Sequence, residues 1–248
     1  MMNVANLEKS IKKIIKEHAE AFKQIGTSQP KLLELAAVTG IAQHYKSNNY
    51  AVKVINPKGK KSFTVKTSTR GFPWNFSRII VSNGTDTAEL HMNLLVRSAH
   101  DVGVYCVDVG VVKHSYIPSE KPKVVWVCLE NNHLLTFAEV KKLVVYPMLL
   151  AQFIGIVHEI KPEFLSSEGA LNPPHLPPIL IALGHFSGNS AAIVNSYNSR
   201  NIHITIAENY DIRLAKVRGE KEASPFYKGS SNNGVDSDAA ETAPQVTP

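Results

Sequence analysis

Cysteine is scarce in this 248-residue chain, which holds only Cys106 and Cys128. They form no C-x-x-C pair, which excludes a disulfide framework and a cysteine-rich zinc site. Long apolar runs are missing as well. No stretch reaches the roughly 18 residues that a membrane-spanning helix needs. The first residues, MMNVANLEKSIKKIIKEHAEAF, are amphipathic and charged, without the apolar stretch of a signal peptide. Ten histidines are scattered without H-x-H or H-E-x-x-H spacing, so a zinc hydrolase has little support. There is no G-x-x-x-x-G-K-[ST] loop and hence no ATP motor, and Gly184-His-Phe-Ser-Gly188 lacks the spacing of a nucleophile elbow. What is present, 44% hydrophobic and 19% charged residues, describes a soluble globular protein of a reducing compartment, with the cytoplasm as the default location.

Charge is unevenly distributed. The net charge is +6, yet the stretch from Gly219 onward sets five acids against Lys221 and Lys228. The tail is therefore at −3 and residues 1–218 at +9. So basic a body attracts polyanions, of which nucleic acid is the commonest. The tail is rich in Gly, Ser, Asn and Pro and poor in large aliphatics, so residues 219–248 are expected to be a disordered acidic tail.

Periodicity organises the rest. Leu7, Ile11, Ile14, Ile15, Phe22 and Ile25 fall at helical spacing, so residues 1–29 are expected to hold an amphipathic N-terminal helix. A second helix is expected over Pro30–Tyr45, opening at its proline and carrying Glu34 on a mostly apolar surface. Strands are expected at Tyr50–Ile55, Ser62–Thr67, Ser77–Val81, Thr87–Arg97, Val102–Val112 and Val124–Leu129, with Asn83-Gly84 as a hairpin turn. Leu134–Leu143 reads as a strand running into a turn, followed by a helix at Pro147–Ile160, a strand at Ile179–Leu183, a helix at Asn189–Tyr197 and a strand at Ile202–Ala207. The order predicts an α/β domain over residues 30–218, its mixed sheet antiparallel first and crossing over later.

Two strand-borne acidic positions stand out. In Cys106-Val-Asp108-Val-Gly110, alternation assigns Val107, Val109 and Val111 to one face and Asp108 to the other. In Ala138-Glu139-Val140-Lys141, it sets Glu139 beside Lys141. If the two strands pair, two carboxylates and an ammonium converge, a set suited to holding Mg²⁺ and hydrolysing phosphodiesters. Taken singly, Glu139 and Lys141 could equally be an exposed ion pair on a sheet edge, and Asp108 a carboxylate capping a turn. Glu-x-Lys also recurs at Glu159–Lys161, where it reads as a solvated helix terminus before Pro162. The basic turn Lys58, Lys60, Lys61, with Lys53, Lys66 and Arg70 nearby, could track a phosphate backbone or be a solvated hairpin. Trp74 and Phe76 could stack on bases or form a core corner.

An acidic residue on a helix, then Asp on a hydrophobic strand, then Glu-x-Lys on the next, resembles the PD-(D/E)xK nuclease superfamily, over roughly residues 30–210. Thirty residues separate Asp108 from Glu139, a long gap of the kind found in some branches, including nucleases of antiphage defence. The resemblance implies a restriction-endonuclease-like three-layer core, preceded by the N-terminal helix. It implies metal (Mg²⁺ or Mn²⁺) at Asp108, Glu139, Val140 and Glu34, with Lys141 supporting the nucleophilic water. Lys58, Lys60, Lys61, Lys142 and Gln152 would contact nucleic acid. The expected function is that of a metal-dependent endonuclease, DNA ahead of RNA as substrate, working as a homo-oligomer or with a partner protein. The alternatives are a catalytically inactive interaction module on the same fold and a basic nucleic-acid-binding protein.

Overall fold

The computed structural model describes residues 28–124, 126–166 and 174–210. The apolar positions of the expected N-terminal helix, Leu7 to Ile25, and the acidic tail at 219–248 lie outside the described residues. Among those described, seven strands and three α-helices make an α/β architecture. Helix α1 (Gln29–Ser47) is followed by β1 (Ala51–Ile55), β2 (Arg78–Ser82), β3 (Thr87–Arg97), β4 (Val104–Lys113) and β5 (Leu134–Lys141). Helix α2 (Pro147–Ile160), strand β6 (Ile179–Ala182), helix α3 (Ser190–Ser199) and strand β7 (Thr205–Ala207) complete the order.

The strands stand side by side in the order in which they occur in the chain, forming one mixed sheet. Pairs from β1 to β5 are antiparallel, whereas β5–β6 and β6–β7 are parallel. The change of direction falls where the connection first carries an α-helix, because parallel neighbours need a connection long enough to return the chain to the same end. The β2–β3 turn takes the expected form: Gly84 sits at φ +95, and the Asn83 side chain accepts from the Thr85 and Asp86 amides.

Helices cover both faces. Leu33, Ala37, Ile41 and Tyr45 of α1 pack with Leu90, Val109, Ala138, Ile179 and Ile181. On the opposite face Leu150, Phe153, Val157 and Ile160 of α2 pack with Leu94, Val107, Phe137, Leu180 and Ala182. Alternate residues of β6 thus feed two cores, and strands buried on both faces read as unbroken apolar runs. Each fully buried Leu, Ile or Phe contributes about 1.5–3 kcal/mol. Helix α1 begins with Pro30 in its first turn, where the missing N–H has no partner to lose, and ends at Ser47, with Asn49 just beyond the cap turned to φ +66.

Two expected strands are absent. Across Ser62–Thr67 the Thr64 amide donates to Ser77 Oγ instead of to a ladder, and the Lys66 ammonium turns inward. In the Val124–Leu129 stretch no described residue belongs to a strand: Val124 and Val127 are exposed, and only Leu129 bridges to Val96. Strict alternation also fails at Asp108, because Val107 faces the α2 core and Val109 the α1 core. Beside it, Asn93 sits at φ +49, and the β3–β4 register passes from Met92–Val109 to Leu94–Val107 without pairing Asn93 with Asp108. A left-handed residue within a strand locally re-aims the chain, and asparagine tolerates that conformation better than most.

Candidate active site

The site forms where β4 and β5 part. Their ladder ends at Val109–Ala138, leaving Val107 and Asp108 without partners on β5 and Glu139 to Lys141 without partners on β4. The β5 backbone would lose a hydrogen bond there. Asp108 restores it, its Oδ2 accepting the Val140 N–H at 2.8 Å. On the same stretch of β5, Lys141 Nζ donates to Glu139 Oε2 at 2.9 Å and stands 4.0 Å from Asp108 Oδ2. The structure therefore brings Asp108, Glu139 and Lys141 together. Parallel pairing with β6 fixes their strand, with Glu139 opposite Leu180 and Lys141 opposite Ala182.

Burial sets the electrostatics. Glu139 is only 4% exposed, and burial, reinforced by the Asp108 carboxylate, pushes its pKa up. Burial raises Asp108 too, against the Val140 hydrogen bond and the nearby Lys141. For Lys141 burial acts downward, but the Glu139 and Asp108 carboxylates outweigh it and hold the ammonium above its ordinary value. Two acids and one base are thus held in partial desolvation, where a carboxylate without a cation is destabilised. One oxygen is unsatisfied: Glu139 Oε1 is buried and has no hydrogen-bond partner.

Glu34 approaches from α1 and is 6% exposed. Both its oxygens are engaged: Lys31 donates to Oε1 at 2.7 Å and Oε2 at 3.0 Å, and Asn93 Nδ2 donates to Oε2 at 2.9 Å. It acts on Asp108 and Glu139 through its charge, raising both. Asn93 was not singled out in the sequence, although an asparagine in the middle of an apolar strand is the signal that marks it. Its side chain ties Glu34 to the Lys66 carbonyl, and its own carbonyl accepts the Lys66 ammonium. Lys66 is therefore a buried strut, with burial lowering its pKa, and is not available to a phosphate backbone. Cys106, half-buried beside these charges, has its thiol pushed up to about 11, mostly by burial.

A cleft of about 330 Å³ opens beside Glu139 and Lys141, walled by α2. Gln152, exposed on that helix, lines it together with Tyr105, Phe153 and Ile156. Lys142 is exposed immediately after β5, and Lys58, Lys60 and Lys61 are exposed in the turn after β1. Trp74 is buried, stacked under Phe72 at 4.6 Å and met edge-on by Trp126, which makes it a packed corner and closes its faces to bases. The second Glu-x-Lys also departs from expectation. Lys161 is buried and paired with Glu163, and Glu159 lines the same cleft as Glu139.

Among the described residues no three His, Cys, Asp or Glu side chains converge as a closed metal cage. Mg²⁺ does not require one, since it is commonly held by one or two carboxylates while water and phosphate complete its shell. The buried, unpartnered Glu139 Oε1 beside Asp108 fits a divalent cation, which would supply the charge this pair lacks. Compared with family models, curated proteins and solved structures, the chain has no match in any of the three.

Proposed function

We propose that this protein is a metal-dependent nuclease of restriction-endonuclease-like fold, cutting phosphodiester bonds in nucleic acid, DNA ahead of RNA. The observation that carries the reading is the orphaned, buried Glu139 Oε1, on a carboxylate whose other oxygen pairs with Lys141, itself 4.0 Å from Asp108. Asp108 and Glu139 would hold Mg²⁺ or Mn²⁺, with the main chain of Val140 as a further ligand. Such an ion would supply Lewis-acid charge at the phosphate and acidify a water held beside it. Lys141 orients the attacking water and offers N–H donors to the phosphate as negative charge builds on it. Glu34, held by Lys31 and Asn93, adds to the negative field that favours a cation and keeps α1 seated against the site. Gln152 presents its amide from α2, while Lys58, Lys60, Lys61 and Lys142 draw the polyanion in. Cytoplasmic defence against foreign nucleic acid is the setting this reading favours, with a homo-oligomer or partner protein supplying a second cutting site.

Plasmid cleavage by the purified chain tests the proposal. Nicking should depend on added Mg²⁺ or Mn²⁺ and fall by about a hundredfold or more in Glu139→Ala and in Lys141→Ala. Binding to labelled DNA, read by anisotropy, should persist in both variants. Unchanged cutting in both would move the chemistry elsewhere, and salt-sensitive binding without cleavage at any metal concentration would leave the inactive-module or basic-binder reading.

A further inference from the structure

We infer that the cleft between α2 and the ends of β4 and β5 is a subsite for one unpaired guanine base of the bound strand. The inference rests on the nuclease reading for what lies at the cleft's inner wall, Glu139 and Lys141, where the phosphate next to that base would sit. The volume, about 330 Å³, lies in the range of small-ligand clefts. Its walls are those a flat aromatic ring would meet: Tyr105 from β4, and Phe153 and Ile156 from α2.

Two features turn an apolar slot into a selective one. Gly155 lines the cleft from the middle of α2, and a Cβ built on it meets nothing within 4 Å. Glycine there costs the helix roughly 1 kcal/mol relative to alanine, and the packing does not require it. What its missing side chain does is leave the slot open. The second feature is Glu159. It lines the cleft, and its carboxylate accepts from Ser98 Oγ at 3.3 Å with His158 Nδ1 at 3.5 Å. Its main-chain oxygen also accepts the Ala99 N–H at 2.7 Å, which anchors the end of the helix.

A carboxylate offers about four acceptor sites and no donor. Guanine alone among the bases presents two adjacent N–H donors on its pairing edge, and these fit a carboxylate as a two-pronged pair. Adenine and cytosine each set one amino group beside an acceptor lone pair, which Glu159 repels. Thymine and uracil set one N–H between two carbonyls. The base must be unpaired to expose that edge, as in a single strand or a nucleotide turned out of a duplex.

The test uses the full chain with 2′-deoxynucleoside monophosphates in EDTA, followed by single-stranded oligonucleotides with metal. dGMP should bind about tenfold more tightly than dAMP, dCMP or dTMP. Gly155→Trp should abolish dGMP binding while leaving the circular dichroism spectrum intact. Glu159→Gln, whose amide can meet either guanine or adenine, should erase the preference for dGMP over dAMP without moving the thermal midpoint. Cutting of the oligonucleotides should cluster at junctions flanked by guanine in the wild type and spread in Glu159→Gln. Equal binding of all four nucleotides by the wild type, or a guanine preference that survives Glu159→Gln, overturns the subsite. The two readings fail separately. Guanine-selective binding without cleavage keeps the subsite and removes the nuclease, and metal-dependent cleavage with no guanine preference does the reverse.

Discussion

Glu89 offers the sharpest test of the physical reasoning, because its surroundings put a number on it. It lies on β3, opposite Ile80 and Val112, and is 2% exposed. Arg78 Nε stands 3.0 Å away, His91 Nε2 3.1 Å, His114 Nδ1 2.7 Å, and the Ser115 amide donates at 3.1 Å. Burial by itself would raise this carboxyl. The hydrogen bond and charge of His91, then the Ser115 hydrogen bond and the Arg78 charge, outweigh it and hold the pKa at about 2, against an ordinary 4.5. Burial lowers the pKa of His91, against the hydrogen bond and charge of Glu89, and Arg78 adds a permanent positive charge beside the pair. A folded-state pKa below the unfolded one means that the native state binds fewer protons. Its stabilisation is complete above pH 4.5 and is lost as pH falls through about 2. At about 1.4 kcal/mol per unit, the protein should lose roughly 2–3 kcal/mol across that window through this group alone. Glu89→Gln removes the charge, leaves the half-buried Arg78 without compensation, and sets an amide N–H₂ against existing donors. The expected destabilisation at pH 7 is about 3–5 kcal/mol. Urea unfolding of wild type and variant from pH 7 to pH 3 reads both effects, with the gap between the two curves narrowing as the solution is acidified. A variant within about 1 kcal/mol of wild type at pH 7, or a gap independent of pH, would refute the assignment.

Three further expectations concern the site and its supports. Asn93→Ala removes the hydrogen bond to Glu34 and replaces a residue suited to φ +49, so it should lower stability by about 1–3 kcal/mol and slow plasmid nicking; full activity would mean that Glu34 needs no holder. Gly184→Ala places a Cβ at 2.6 Å from the Val144 Cα, a backbone atom that cannot swing aside, and should destabilise by about 1–3 kcal/mol in thermal melts, an unchanged midpoint counting against the packing described. Replacing Lys58, Lys60 and Lys61 together by alanine should flatten the salt dependence of DNA binding by up to about three counterions while leaving the melt unaltered, and an unchanged slope would place the phosphate track elsewhere.

How far the structure can be read from residue order differs from element to element, for physical reasons. Thr87–Arg97 and Pro147–Ile160 coincide with their expected bounds because local chemistry marks their ends: an Asn-Gly turn before one, a proline at the start of the other. Ser62–Thr67 has the alternation of a strand but none of its pairing, because Ser77 and Asn93 capture its polar groups from far along the chain. The Val-Val-Trp-Val-Cys-Leu run is as apolar as a core strand, yet Val124 and Val127 face outward; hydrophobicity alone does not say which runs find a neighbour. At the site, residue types and their order were legible: an acid on a helix, Asp on one strand, Glu-x-Lys on the next. The parting of β4 from β5, the turned Asn93 and the buried Lys66 depend on contacts between distant segments, and a strict two-residue period misassigns the face of Val107 for that reason. Glu159 was legible as a residue and misleading as a motif, since its place beside Tyr105 is set by how α2 crosses the sheet.

The strand order has a consequence for how this molecule is assembled. Every ladder in the sheet joins strands that are consecutive along the chain, so no strand has to wait for a distant partner before it can pair. Loop-closure entropy is then met in small instalments, and the sheet can lengthen strand by strand as the polypeptide emerges from the ribosome. Asp108 is in place once β4 docks on β3, with the free edge of β4 still facing water. Glu139 and Lys141 reach it only when β5 docks, and Glu139 is buried once α2 and β6 follow. In an assembly that follows the chain, the charged centre is desolvated only after the β1–β4 scaffold beneath it has formed.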